Sequence, residues 1–411
     1  MMPISLDEVR GWDAADPLAA HRDAFDLPQG LVYLDGNSLG PLSHAARDRI
    51  ARLVGLEWGR GLIGSWDGAG WMAAPGRTGD LIAPIIGASP GEVTVGDSTS
   101  VNLFKLAAAA VMLRPGRPTL LTEEGNFPTD RHVLDGLARL RPDLRVRAVP
   151  AGELEAALDQ EVALLLLCHV HYRTGARHDM ARLTQAARRA GALTVWDLSH
   201  SAGAIPVALN ADGAELATGC GYKFLNGGPG APAFLYVAGG LQAQAGSPLQ
   251  GWIGHAEPFG FSDRYQPAPG IARFLSGTPG MLGLAALEAG VEVFRAADPA
   301  ALWSKSARLF DLFASLAEAW CPSLRLLTPR DAGLRGSHIA FVCDDAERLM
   351  RAFAGHGVIG DFRPPDIIRF GLTPLYTRYQ DIWVAAEALR VALAARARAP
   401  IDRPPRDGSA R

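Results

Sequence analysis

The chain uses arginine for almost every positive charge: of its 40 Lys+Arg residues, only Lys105, Lys223 and Lys305 are lysine. An ammonium shifts its pKa readily and can lose its proton to become an amine nucleophile, which a guanidinium does not. Each lysine is therefore a candidate for Schiff-base chemistry. Lys223 is set apart by its neighbourhood, GCGYKFLNGGPGAP at 219–232, whose glycines let backbone come close to a bound ligand. Lys105 lies in an apolar helical run and Lys305 on an amphipathic helix, where snorkelling or surface roles are expected. WDLSHSAG at 196–203 places Asp197 directly after a buried strand, at the edge where ligands gather in open α/β sheets. Alone, Asp197 is explained by a helix cap or a turn. With a rare lysine one strand later, it becomes an anion able to keep a pyridine ring nitrogen protonated, the condition under which pyridoxal phosphate acts as an electron sink.

A phosphate needs an anion site. DSTSVNLF at 97–104 offers hydroxyls and free N–H groups at a strand-to-helix junction, so Thr99 and Ser100 are phosphate candidates, although N-capping accounts for the same letters. The next junction, EEGNFPTDRHVL, supplies Phe127, able to stack on a flat ring, and Asp130 close behind it. His169 and His171 form an H-x-H pair on one strand face, but no third ligand is in view and no metal is expected. Cys168, Cys220, Cys321 and Cys343 lack C-x-x-C spacing, so they are expected reduced, with neither zinc nor a redox pair.

These residues need a scaffold. From about 90 to 240, short apolar runs alternate with amphipathic segments, which predicts an α/β fold with a mostly parallel sheet. The expected strands are VTVG (93–96), PTLLT (118–122), VALLLLC (162–168), ALTVW (192–196), ELATG and APAFLYV. Beyond about Gly290 a long helical stretch through Trp320, strand HIAFVC, helix DAERLMRAF, strand IIRFGL and a final helix to about Arg398 predict a smaller α+β unit. The expected division is an N-terminal arm (1–40), a large cofactor-binding domain (41–290), a small C-terminal domain (291–398) and a disordered tail (399–411).

With 411 residues, 48% hydrophobic and 20% charged, the chain can bury a sizeable core. A net charge of −3 supplies no basic field for nucleic acid or anionic lipid. The N-terminus lacks the regions of a secretory signal, and the longest apolar run, VALLLLC, is too short to span a bilayer. A cytoplasmic protein with no membrane partner is expected.

Together the motifs resemble kynureninase, a fold-type-I pyridoxal-phosphate family, in its bacterial form, over roughly 30–390. They read YLDGNSLGP (33–41), GDSTSVNLFK (96–105), NFPTD (126–130), WDLSHSAG (196–203), GYKFLNGG (221–228), GWIGH (251–255) and VIGDFRPPDIIRFGLTPLY (358–376). The resemblance implies hydrolysis of L-kynurenine to anthranilate and L-alanine, with Lys223 as the Schiff-base lysine and Asp197 at the ring nitrogen. Phe127 then stacks on the ring and Asp130 lies near its hydroxyl side. Thr99, Ser100, Cys168, Tyr222, His200, Trp252 and Thr278 match positions lining the cofactor and its phosphate. Tyr222 is implied as a proton donor, Arg369 as the clamp on the substrate's α-carboxylate, and Trp66 as an aromatic wall. Some members carry Asn at the position of Thr278, which is expected to favour kynurenine over 3-hydroxykynurenine here. A homodimer with a shared active site is implied. The competing readings are a class V aminotransferase, a cysteine desulfurase, and a non-catalytic relative.

Overall fold

The computed structural model describes residues 4–398; the expected disordered tail, 399–411, lies outside them. In chain order the first strand is β1 (Val32–Tyr33). A seven-stranded sheet follows from β2 (Val93–Val95), β3 (Thr119–Glu123), β4 (Arg145–Val149), β5 (Val162–Cys168), β6 (Leu193–Asp197), β7 (Leu216–Gly219) and β8 (Phe234–Val237), in spatial order β2-β8-β7-β6-β5-β3-β4. Only β8 runs against the rest. Every residue of β3, β5 and β6 is buried, because helices cover both faces of the sheet, and this is why the strands read as continuous apolar runs. The sheet is thus the mostly parallel one that the sequence pattern predicts.

One sheet strand escapes the sequence pattern. β4, RVRAV, lies at the edge and is only partly buried, and its arginines disguise the strand while protecting the open edge. The helical stretch expected from Gly290 to Trp320 is two helices, Met281–Glu292 and Pro299–Trp320. Asp298 caps the second by accepting from the amides of Ala300 and Ala301, and Pro299 suits the first helical position, where its missing N–H is not needed.

The C-terminal part forms a four-stranded antiparallel sheet, β12 (Asp361–Arg363), β13 (Ile367–Gly371), β10 (His338–Val342) and β9 (Arg325–Leu326) in that order. β11 (Val358–Ile359) instead pairs in parallel with β1. Val9, Val32 and Leu34 share one core with Phe313, Phe341, Phe370 and Leu389. The first forty residues, which show little periodicity in the sequence, thus include a capped helix, Leu6–Ala14, and a paired strand. The helix is short and fully buries only Val9, too little for a visible period. Its Asp13 accepts from the amides of Tyr379 and Gln380 at 2.7 and 3.0 Å, capping the last helix, Tyr379–Arg398.

Neither spare lysine takes the surface position expected of it. Lys105 is buried, with Nζ 2.5 Å from Asp97 Oδ2 and 2.6 Å from the Phe274 carbonyl. Lys305 is buried against Asp16 Oδ2 at 2.6 Å and the Pro374 carbonyl at 2.7 Å. A buried ammonium needs an anion and further acceptors; Lys105 finds its anion just before its own helix and its carbonyl far along the chain, and Lys305 finds both far away in sequence.

Candidate active site

The carboxyl ends of β5 and β6 meet in register, Cys168 opposite Asp197. The loop after β3 leads through Phe127 into the helix Pro128–Leu140, whose first turn carries Asp130. These three ends converge. The Cys168 thiol lies 3.3 Å from Asp130 Oδ2 and 3.7 Å from Asp197 Oδ2. Asp197 is oriented further by the Ser199 amide, which donates to its Oδ1 at 2.7 Å. Burial, and then the charge of Asp197, push the Asp130 carboxyl well above its usual range. Burial followed by the two carboxylates does the same to the Cys168 thiol. Both groups are thus shifted toward their protonated forms. Carboxyl and thiol atoms this close, within 4.8 Å, have the donor types of a metal site.

β7 ends at Gly219 and the chain turns through Tyr222 to Lys223, whose Nζ lies 2.9 Å from His200 Nε2. Burial and the neighbouring lysine hold His200 neutral, and its Nδ1 has no hydrogen-bond partner among the described residues. The YLDGNSLGP segment closes over this turn. Gly40 donates its amide to the Tyr222 carbonyl at 2.8 Å, and a Cβ on Gly40 would meet the Lys223 carbonyl at 2.4 Å, so no other residue fits.

The anion end is built on the helix Thr99–Leu113. Ser98, not Thr99 or Ser100, is its N-cap, accepting from the Val101 amide. The amides and hydroxyls of Thr99 and Ser100 are thus left for other use. A cavity of about 380 Å³ at this helix start is lined by Asp97, Ser98, Thr99, Tyr222, Gly230 and Ala231, which joins two of the expected phosphate contacts. Burial raises the Tyr222 hydroxyl to about 12, so it remains a proton donor. Thr278 lines an adjoining cavity that shares Asp97 and Gly230.

The aromatic residues fall into two places. Phe127 is partly exposed at the start of its helix, with Tyr172 edge-on at 5.2 Å. Trp66 packs edge-on against Trp252 at 6.1 Å and Trp71 at 5.6 Å. Among the described residues no hydrogen bond or ring contact links Trp66, Trp252 or Thr278 to the Lys223 cluster. His255 is held within its own loop by Glu257 and Arg264, and His169 packs on Trp196, with burial lowering its pKa to about 3. His171 bonds the Gly125 carbonyl at 2.9 Å.

Arg369 is fully buried in β13 and is not a bare clamp: Asp361 takes Nε and Nη2, and the Tyr172 carbonyl takes Nη1. Sequence reasoning missed Asp361 and Tyr172, and also His338. His338 is fully buried 5.4 Å from the His200 ring, is held neutral by burial and then by Arg369, and has no partner for either ring nitrogen among the described residues. Asp361 lies inside the quoted motif VIGDFRPPDIIRFGLTPLY, so the available signal was an acid in the same motif as the clamp arginine.

An organic cofactor with a ring nitrogen, a carbonyl and a phosphate fits this donor set. An acid pair stands at one end, an amine at the middle and a helix start with a tyrosine hydroxyl at the other; Asp130 Oδ1 and His200 Nδ1 are buried polar atoms with no partner among the described residues. A kynureninase of Burkholderia pseudomallei is 48% identical over 394 residues, covering 93% of this chain and 94% of the relative. The chain belongs to the kynureninase family. A kynureninase of Pseudomonas fluorescens is 46% identical over 385 residues, covering 92% of each chain, and residues 302–389 match the family model described as kynureninase C-terminal domain. Solved structures share the fold at low identity. A cysteine desulfurase of Thermococcus onnurineus matches with TM-score 0.78 and 16% identity over 92% of this chain and 98% of its own. The Escherichia coli cysteine desulfurase matches with TM-score 0.78 and 20% identity, with the same coverage. At these identities the likeness shows the fold, fold type I of the pyridoxal-phosphate enzymes, and no more. The kynureninase family also separates the chain from the desulfurase and aminotransferase readings, and all four cysteines are buried, unlike a thiol that must reach a substrate on a mobile loop.

Proposed function

We propose that this kynureninase-family chain binds pyridoxal 5′-phosphate and hydrolyses L-kynurenine to anthranilate and L-alanine. The observation that carries the reading is the near-full-length identity to kynureninases on a chain whose lysine, acid cluster and helix start converge at one sheet edge. Bound pyridoxal phosphate supplies an electron sink for charge developing at the substrate's Cα.

The chain's residues do the rest. Lys223 holds the cofactor before substrate arrives and then moves the Cα proton. Asp197 provides the anion for the ring nitrogen, while burial biases the neighbouring Asp130 and Cys168 toward their protonated forms. Phe127 covers the ring. Thr99 and Ser100, with Tyr222, His200, Trp252 and Thr278 around them, hold the phosphate end. Arg369 takes the α-carboxylate. Water adds to the γ-carbonyl, anthranilate leaves, and Tyr222 returns a proton to the three-carbon fragment. Trp66 forms a wall for the aromatic ring, and Thr278 favours kynurenine over 3-hydroxykynurenine.

In this reading 41–290 is the cofactor-binding body and 291–398 carries the clamp. The enzyme is a cytoplasmic homodimer of tryptophan breakdown, feeding pyridine-nucleotide synthesis, with its site shared between subunits. Among the described residues no helix is long and apolar enough to cross a membrane. The apolar rim of Leu56, Trp58, Leu62, Ile63, Phe259 and Phe261, all exposed, supports an interface beside Trp66 and Trp252. The test is to mix cofactor-loaded protein with L-kynurenine and follow anthranilate by fluorescence and alanine by chromatography. Equal yields are expected; the appearance of neither product refutes the substrate.

A further inference from the structure

A guanidinium has five N–H groups: one on Nε and two on each terminal nitrogen. In Arg369 the Nε–H donates to Asp361 Oδ1 at 2.8 Å, one Nη2–H donates to Asp361 Oδ2, and one Nη1–H donates to the Tyr172 carbonyl. One N–H is left on each terminal nitrogen. That pair matches the two oxygens of a single carboxylate.

Asp361 is itself anchored. It stands directly across the β12–β13 ladder from Arg369, so backbone register brings the two side chains together. Ser38 Oγ donates to its Oδ2 at 2.8 Å, and Arg363 Nη2 lies 2.9 Å from the same oxygen. Burial works against its charge, but Arg369 and Arg363 outweigh burial and hold the carboxyl below its usual range. Arg363 supplies a second guanidinium, so Asp361 keeps a cationic partner when a substrate carboxylate arrives at Arg369. Asp35 also faces this network, and burial and then Asp361 push its carboxyl up to about 7.

We propose that Asp361 is the positioning residue of the substrate clamp: it fixes one edge of Arg369 so that the two remaining terminal N–H groups meet the α-carboxylate, while Ser38 and Arg363 retain it there. This rests on the reading of Arg369 as the carboxylate clamp. Asp361 touches neither the cofactor's chemistry nor the scissile bond. Its effect should therefore fall on ligands that carry an α-carboxylate and spare those that do not.

L-Alanine and ethylamine differ by that carboxylate alone, and binding of either to cofactor-loaded protein is read from the cofactor's visible absorption. Asp361→Asn should weaken alanine about 10- to 100-fold and leave ethylamine unchanged. With L-kynurenine it should raise KM by a similar factor and lower kcat far less. Ser38→Ala, which removes one anchor of Asp361 and leaves the charges in place, should shift alanine in the same direction by about threefold to tenfold; it carries the test if the first variant does not fold. The proposal is overturned if alanine binding is unchanged, if it tightens, or if alanine and ethylamine weaken together. Failure of the underlying reading looks different: Arg369→Lys would then leave alanine binding intact, or wild-type protein would not turn over kynurenine.

Discussion

The two halves of the site are held by different physics. On the cofactor side, Asp197 and Cys168 end adjacent strands, and Lys223 follows shortly after a third. Backbone ladders set their spacing. On the carboxylate side, Arg369 is placed by Asp361 and Tyr172, and Asp361 in turn by Arg363 and Ser38, so charges and hydrogen bonds from separate stretches fix one guanidinium. A ladder survives the loss of one side chain. A buried charge network does not, because removing one member strands another. Function and stability should therefore separate on the first side and fall together on the second.

The strongest way to break this contrast is Lys223. Among the described residues its hydrogen-bonding neighbour is His200. Lys223→Ala should reduce kynurenine turnover by about 10⁴-fold or more while leaving the denaturant midpoint near that of wild type. Turnover at the wild-type level would sink the assignment.

Arg369→Ala comes next. It should lower kcat/KM by about 10²- to 10³-fold and, unlike the lysine variant, destabilise the fold by about 3–5 kcal/mol, because Asp361 is left charged and buried. Adding Asp361→Asn to it should recover most of that stability and none of the activity. Equal stability of Arg369→Ala and wild type in urea would contradict the charge-built account.

A smaller effect should appear in the pH dependence of stability. Burial, and then Asp361, push the Asp35 carboxyl from the ordinary aspartate range up to about 7. The folded state then keeps a proton that the unfolded chain has released, so this contribution is complete below about pH 4 and lost as pH rises through about 7. Asp35→Asn should flatten that part of the melting-temperature profile; an unchanged slope would remove Asp35 from the network. The smallest change is expected for Thr278→Asn, which should move the ratio of kcat/KM for 3-hydroxykynurenine over kynurenine upward by about tenfold or less, with no change in stability. A ratio that stays fixed would take substrate choice away from this position.

The contrast also explains what is legible in the sequence. VALLLLC forms a strand over the very residues it spells, and the short motifs at strand ends place Asp197, Cys168, Asp130 and Lys223 together, because local pattern and sheet topology decide their positions. RVRAV is not legible, since an edge strand needs no apolar run. Nor is the rest of the Arg369–Asp361 network: Tyr172, which binds Arg369, and Ser38, which binds Asp361, lie far away in the chain, and no periodicity connects them to it. The same blindness misplaces Lys105 and Lys305 at the surface, since the acids that let them be buried lie outside their helices. Aromatic residues are legible as a group but not by position. Trp66 and Trp252 meet each other although 186 residues separate them in the sequence.

The pairing of β1 with β11 has a bearing on how the polypeptide is made. Val32 and Tyr33 leave the ribosome early, but Val358 and Ile359 leave it near the end of synthesis. All seven strands of the large sheet, with Lys223, can form in between, as domains generally do during translation. Ser38 meanwhile waits for Asp361. A nascent chain thus acquires the lysine and the acid cluster well before Arg369, so on the proposed assignment the machinery for the cofactor precedes, in the order of birth, the means of choosing an amino acid.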